Sequence, residues 1–165
     1  MYDDAVLIAL GSSLGGRFGS CAAVVEAAID QIAAAGFRIL ARSSLWRSAS
    51  WPDPTLPDYI NALVIVETAL GPAQTLDRLH AIEAGFGRER TLANAPRVLD
   101  LDLIAHGRLA IDQPGLTLPH PRAADRLFVM GPLAQIAPDW RHPATGESAA
   151  ALAARATTGR DARPL

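Results

Sequence analysis

Lysine is missing from this 165-residue chain: all 15 of its basic residues are arginine. Any phosphate it grips must therefore be held by guanidinium forks, backbone N–H groups or a metal, and no lysine can act as a nucleophile. A P-loop is excluded for the same reason, since it needs Gly-Lys-Ser/Thr. The one cysteine, Cys21, rules out an internal disulfide and is compatible with a reducing compartment, so a cytoplasmic location is expected. No apolar stretch is long enough to span a bilayer, and no basic-then-apolar signal pattern opens the chain. With a net charge of −2 there is no basis for expecting nucleic-acid or membrane partners. Aromatic residues are scarce at 5%.

Half of the residues are hydrophobic and 19% are charged, a globular balance. The length fits one domain over 1–165 with a real core, and the arginine-rich tail 157–165 is expected to fray. Ala5–Leu10 reads as a strand entering a glycine-rich turn at residues 11–16. Ser20–Ala35 carries apolar residues at helical spacing until Gly36 stops it. Strands follow at Phe37–Trp46 and Tyr59–Thr68, separated by a proline-rich loop. Pro72 opens a helix to about Ala84. After an irregular stretch from Gly85 to Pro96 comes a fourth strand, Val98–Ala105. The order β-α-β-β-α-β is that of an α+β, ferredoxin-like fold, with a mostly antiparallel four-stranded sheet and helices packed on it. The C-terminal extension adds an extended or hairpin segment at Arg108–Thr117 and short helices at Pro132–Ala137 and Ala149–Ala156.

The strand Val98–Ala105 carries the most informative feature. Asp100 and Asp102 are two residues apart, so both carboxylates project from one face, while Leu99, Leu101 and Leu103 point the other way. Neighbouring anions on a strand call for a cation between them, and Mg²⁺ is commonly held by one or two carboxylates plus phosphate oxygens. The alternative is an edge strand with two solvated aspartates. Arg97 sits just upstream, Arg88 and Arg90 precede it, and Arg122 and Arg126 follow His120. Together they match a metal-bound polyphosphate, which guanidinium forks bind bidentately; each taken singly reads equally as a solvated arginine.

Tyr59 and Asn61 share one strand face. Asn61 can both donate and accept toward a heterocycle edge, and Tyr59 and Phe128 can supply ring surfaces; alternatively all three serve only the strand and the core. Glu83, near the end of the second helix, reads by itself as a solvated helix residue. His120 is stiffened between Pro119 and Pro121, which suits either a functional loop or a structural turn.

Several blocks, in order, carry a family resemblance: Ala9-Leu10-Gly11-Ser12-Ser13-Leu14, Pro57-Asp58-Tyr59-Ile60-Asn61-Ala62, Gly87-Arg88-Glu89-Arg90, Pro96-Arg97-Val98-Leu99-Asp100-Leu101-Asp102 and Leu118-Pro119-His120-Pro121-Arg122. From Leu7 to Trp140 the chain resembles the 6-hydroxymethyl-7,8-dihydropterin pyrophosphokinases of folate biosynthesis. The resemblance implies transfer of the β,γ-diphosphate of ATP to the pterin hydroxymethyl group, with AMP released. It implies two Mg²⁺ ions on Asp100 and Asp102, and a pterin held between Tyr59 and Phe128 with Asn61 and Ser48 at its polar edge. Glu83, Arg88, Arg90, Arg97, Thr117, His120 and Arg126 would line the nucleotide side, with Arg88 and Arg97 offsetting charge on the transferred group. The tryptophan common in the family's catalytic loop is replaced here by Asn94-Ala95, and Trp51 is expected to supply aromatic cover from the opposite loop. Both loops are expected to close as lids. Small-molecule substrates and a monomer are expected. An RNA-binding module of the same topology is disfavoured by the few aromatics and the slight acidity.

Overall fold

The computed structural model describes residues 2–50, 52–87 and 97–165. Its main sheet is built on β1 (Val6–Ser12), which is buried along its whole length and lies antiparallel between β4 (Tyr59–Glu67) and β5 (Asp100–His106). On the far side of β4 lie two short strands, β2 (Arg38–Arg42) and β3 (Trp46–Ser48). This is the ferredoxin-like order, with the second crossover strand divided in two.

The division departs from the single strand expected over Phe37–Trp46. Ser43 exchanges its backbone hydrogen bonds for a mixed pair with Leu63: its N–H donates to the Leu63 carbonyl, and its side-chain oxygen accepts the Leu63 N–H at 2.9 Å. A serine hydroxyl standing in for a backbone carbonyl interrupts the ladder, and the pairing resumes one residue out of step at Trp46 opposite Asn61.

Alternation along the strands separates two cores. Val6, Ile8 and Leu10 of β1 and Leu101 and Leu103 of β5 face α1 (Cys21–Ala34) and α2 (Pro72–Gly85). Leu7, Ala9, Leu63, Ile65 and Ile104 face α3 (Leu127–Ile136) and α4 (Ala149–Arg155). The sheet is thus covered on both sides, the second layer coming from the C-terminal extension. Ser20 caps α1 by accepting the Ala23 N–H, Pro72 occupies the first turn of α2, and Gly36, at φ 96°, ends the α1 turn. Cys21 is half-buried and packs against the first core.

α3 begins five residues earlier than the helix expected from Pro132. Pro132 lies in its interior, and the start is set by the Arg126 carbonyl, which accepts from Val129 and Met130 at 3.0 and 2.9 Å. Gly131 lets this helix close on β3: a Cβ there would stand 2.6 Å from the Trp46 ring. A small hairpin, β6 (Ile111–Gln113) with β7 (Leu116–Leu118), follows β5. Residues 11 and 12, expected in a turn, complete β1 opposite Asn61 and Ile60.

The tail 157–165 does not fray. It runs beside the start of α3, and β8 (Arg163–Pro164) adds to the outer edge of β3, with the Leu165 N–H donating to the Leu45 carbonyl at 2.9 Å. The expectation of a loose end rested on its charge and small residues, and backbone pairing to an open edge overrides both.

Candidate active site

At one end of the sheet β1 finishes, β4 and β5 begin, β3 finishes, and α3 starts. Between them lies a cavity of about 480 Å³. Its walls bring together Ser48, Tyr59, Asn61, Arg97, Asp100, Asp102, His120, Arg126 and Phe128. A second cavity of about 310 Å³ lies on the α2 side, with Glu83 and Thr117 in its wall. Asp102, His120 and Pro121 line both. Asp102 on the aspartate strand therefore stands where two clefts adjoin.

Each carboxylate is half-buried and has its own cationic company. The Arg97 guanidinium reaches Asp100 Oδ1 at 3.2 Å. Arg97 is pinned by its backbone: its N–H donates to the Ser13 side chain at 3.0 Å, and its carbonyl accepts the N–H groups of Ser13 and Leu14. Asp102 acts electrostatically on Arg126 and His120. Between the two aspartates, the outward N–H of Leu101 donates to Glu83 Oε2 at 2.8 Å. Glu83 is thus buried, unlike the solvated residue its place on α2 suggested. It satisfies the free edge of β5 at the point where the carboxylates must be held in register.

His120 is tied to β5 by its backbone N–H, which donates to Ile104 O at 2.8 Å. Its Nδ1 accepts the Arg122 N–H at 3.2 Å, so the neutral ring carries its proton on Nε2. Burial pushes the imidazole below its usual pKa; Asp102 opposes this, and Arg126 and Arg122 add to it. Burial thus favours the neutral ring, a hydrogen-bond donor through Nε2.

On the opposite wall the Asn61 amide donates to the Ser48 hydroxyl at 2.8 Å, and both side chains are buried. This pair offers a fixed hydrogen-bonding edge. Tyr59 lies over Gly11, where a Cβ would touch its ring at 3.4 Å. Phe128 faces the cavity from α3, with the Arg126 guanidinium 5.6 Å from its ring centre. Gly11 and Ala49 are wall residues that motif reasoning did not single out. A glycine inside a strand, next to the aspartate strand in register, was the available signal for Gly11. Ala49 had none. Arg88, Arg90, Trp51 and the Asn94-Ala95 pair lie outside the described residues, as does most of the second loop.

Among the described residues no third His, Cys, Asp or Glu joins the two aspartates. Two carboxylates side by side, beside a cleft lined with arginines, fit Mg²⁺, which completes its shell with phosphate oxygens and water. The donor set lacks the nitrogen and sulfur ligands that zinc prefers.

Residues 7–138 match the family model of 7,8-dihydro-6-hydroxymethylpterin-pyrophosphokinase. The chain belongs to this family. It is a pterin pyrophosphokinase of folate biosynthesis, with ATP as its co-substrate. A Synechocystis 2-amino-4-hydroxy-6-hydroxymethyldihydropteridine pyrophosphokinase is 43% identical over 82% of the chain and 69% of its own length. The folic acid synthesis protein fol1 of Pneumocystis carinii is 38% identical over 90% of the chain, but the chain spans only 20% of that protein. A solved Plasmodium falciparum HPPK-DHPS chain superposes with a TM-score of 0.70 at 12% identity, covering 91% of this chain and 44% of that one. The pyrophosphokinase fold of this chain is the ferredoxin-like one expected from element order. No helix among the described residues is long and apolar enough to cross a membrane.

Proposed function

We propose that the larger cleft binds 6-hydroxymethyl-7,8-dihydropterin, that the second binds ATP, and that the β,γ-diphosphate passes between them beside Asp100 and Asp102. The observation that carries this reading is the position of Asp102, which lines both clefts. Tyr59 and Phe128 would face the pterin ring, and Asn61 with Ser48 would meet its polar edge. Glu83, Thr117, His120 and Arg126 would line the nucleotide side. Arg88 and Arg90 are assigned to the site by the family pattern alone, and Trp51 as aromatic cover in place of the family's catalytic-loop tryptophan.

Two magnesium ions would be held by Asp100 and Asp102; bound there, they would neutralise phosphate charge and make the hydroxymethyl oxygen a better nucleophile. The chain's own groups bind, orient and neutralise. Ser48, Asn61 and the two rings would fix the pterin so that its hydroxymethyl oxygen lies near the aspartate strand. That oxygen would form a bond to the β-phosphorus and lose its proton to solvent, and the bond between the β-phosphorus and the oxygen bridging it to the α-phosphorus would break, with AMP leaving. Arg97 would exchange part of its hold on Asp100 for the transferred diphosphate, and the His120 Nε2–H would donate to a phosphate oxygen. No covalent enzyme intermediate is needed, because positioning and charge neutralisation carry such transfers. A monomer acting in the cytoplasm completes the proposed reading. Incubating the protein with ATP, Mg²⁺ and hydroxymethyl-dihydropterin should release AMP in step with pterin consumption. Release of inorganic phosphate without pterin diphosphate would overturn the reading in favour of a nuclease- or phosphatase-type site.

A further inference from the structure

The last nine residues lie outside the segment matched by the family model, which ends at residue 138. They nevertheless touch both walls of the larger cleft. Asp125, just before α3, binds the strap where it starts: its carboxylate accepts the Thr157 hydroxyl at 2.6 Å and the Thr157 N–H at 3.0 Å. The Leu127 N–H then donates to the Thr158 carbonyl at 2.9 Å, beside the two cleft residues Arg126 and Phe128. Gly159, at φ 72°, passes so close to the Phe128 ring that a Cβ there would stand 2.5 Å from Cδ1. Two residues later Asp161 Oδ2 accepts the Ala49 N–H at 2.7 Å. Ala49 lies in the opposite wall next to Ser48, the partner of Asn61. β8 then closes the strap onto β3.

We infer that the C-terminal strap sets the width of the pterin-side cleft, and that Asp161 is a positioning residue which fixes the Ser48–Ala49 wall against Phe128. The inference rests on the proposed assignment of that cleft to the pterin. Its physical basis is that one short segment spans two elements that contribute opposing sides of the site. A carboxylate bond to a backbone N–H is among the stronger neutral-donor hydrogen bonds, and the contact of Gly159 with the ring leaves Phe128 no room to retreat. A ligand that is flat and meets Asn61 at its edge depends on that spacing; the nucleotide, bound on the α2 side, does not.

The experiment is a comparison of Asp161→Ala and Asp161→Asn in the full chain, reading KM for pterin, KM for ATP, kcat and the thermal midpoint. Asp161→Ala is expected to raise KM for pterin about tenfold, the scale of one lost charge-assisted hydrogen bond, with KM for ATP unchanged. Asp161→Asn keeps an oxygen that accepts the Ala49 N–H and should restore most of the pterin affinity. Gly159→Ala, which drives a methyl into Phe128, should raise KM for pterin in the same selective way. An unchanged pterin KM in Asp161→Ala overturns the inference, and so does an equal loss of ATP and pterin affinity with no rescue by asparagine. If the unaltered protein neither binds nor turns over the pterin, the assignment of the cleft itself falls, and the inference with it.

Discussion

At the scale of single residues, the two carboxylates and the amide edge divide the proposed work. Asp102 faces both clefts and shares its surroundings with Arg126 and His120. Asp102→Asn preserves shape and removes the charge, so kcat is expected to fall by roughly 100- to 1,000-fold, with the thermal midpoint little altered; single-turnover measurement of AMP release checks it. Asn61→Ala removes the partner of Ser48 and leaves that hydroxyl buried without its donor. We expect KM for pterin to rise about 10- to 100-fold, with KM for ATP unaffected, as steady-state kinetics varying each substrate would report. The same-face placement of Asp100 and Asp102 was readable from the two-residue period of a strand, and so was that of Tyr59 and Asn61. What periodicity left open was company. Nothing local to Glu83 says that its carboxylate ends up buried on the Leu101 N–H, because the two are 18 residues apart and meet only when α2 packs on the β5 edge.

At the scale of elements, two joints hold the site in shape. One is the seat of α2 on β5. Glu83→Ala strips the acceptor from a buried N–H and is expected to cost about 1–3 kcal/mol of stability, while Glu83→Gln retains an acceptor and should lose less; chemical denaturation of both variants tests the order. The other is the closure of α3 on β3 through Gly131, Trp46 and Gln135, whose side-chain oxygen accepts the Trp46 indole N–H at 3.3 Å. Gly131→Ala places a methyl within the Trp46 ring contact and is expected to destabilise by roughly 1–3 kcal/mol, again measured by denaturant unfolding. Element order was legible because capping, proline placement and apolar period are written within a few residues. The break between β2 and β3 was not, since it comes from Ser43 meeting Leu63 across the sheet. The early start of α3 was hidden by Pro132, which reads as a first-turn residue in isolation and is tolerated here in the interior.

At the scale of the whole molecule, pH acts through His120 in the site and through groups outside it. His142, buried beside Trp140, accepts the N–H groups of Ala144 and Thr145 on Nδ1 at 3.1 and 3.3 Å. Burial holds its pKa below the usual 6.5; Glu147 opposes this, and Arg108 and Arg155 add to it. The unfolded chain therefore takes up a proton before the folded one does, and stability should fall as pH drops through 6.5, levelling off below the folded-state pKa. Asp125 and Glu147 are held below the ordinary carboxylate range, chiefly by Thr157 and Arg155 respectively. Their contribution is present above that range and is lost only at lower pH. Thermal midpoints measured from pH 8 to 5.5 should decline, and His142→Asn, which can still accept a backbone N–H, should flatten the decline. By itself the sequence determined the order of strands and helices, the shared faces of the paired side chains, the arginine-only grip on phosphate and the family, because each is carried by local spacing or by motifs in order. Only the tertiary structure decided that the C-terminal extension covers the second face of the sheet, that the tail straps both walls of the cleft, and that Asp102 stands between two clefts. Those outcomes join residues far apart along the chain, 112 positions in the case of Asp161 and Ala49, and contacts of that span exist only once the chain has closed on itself.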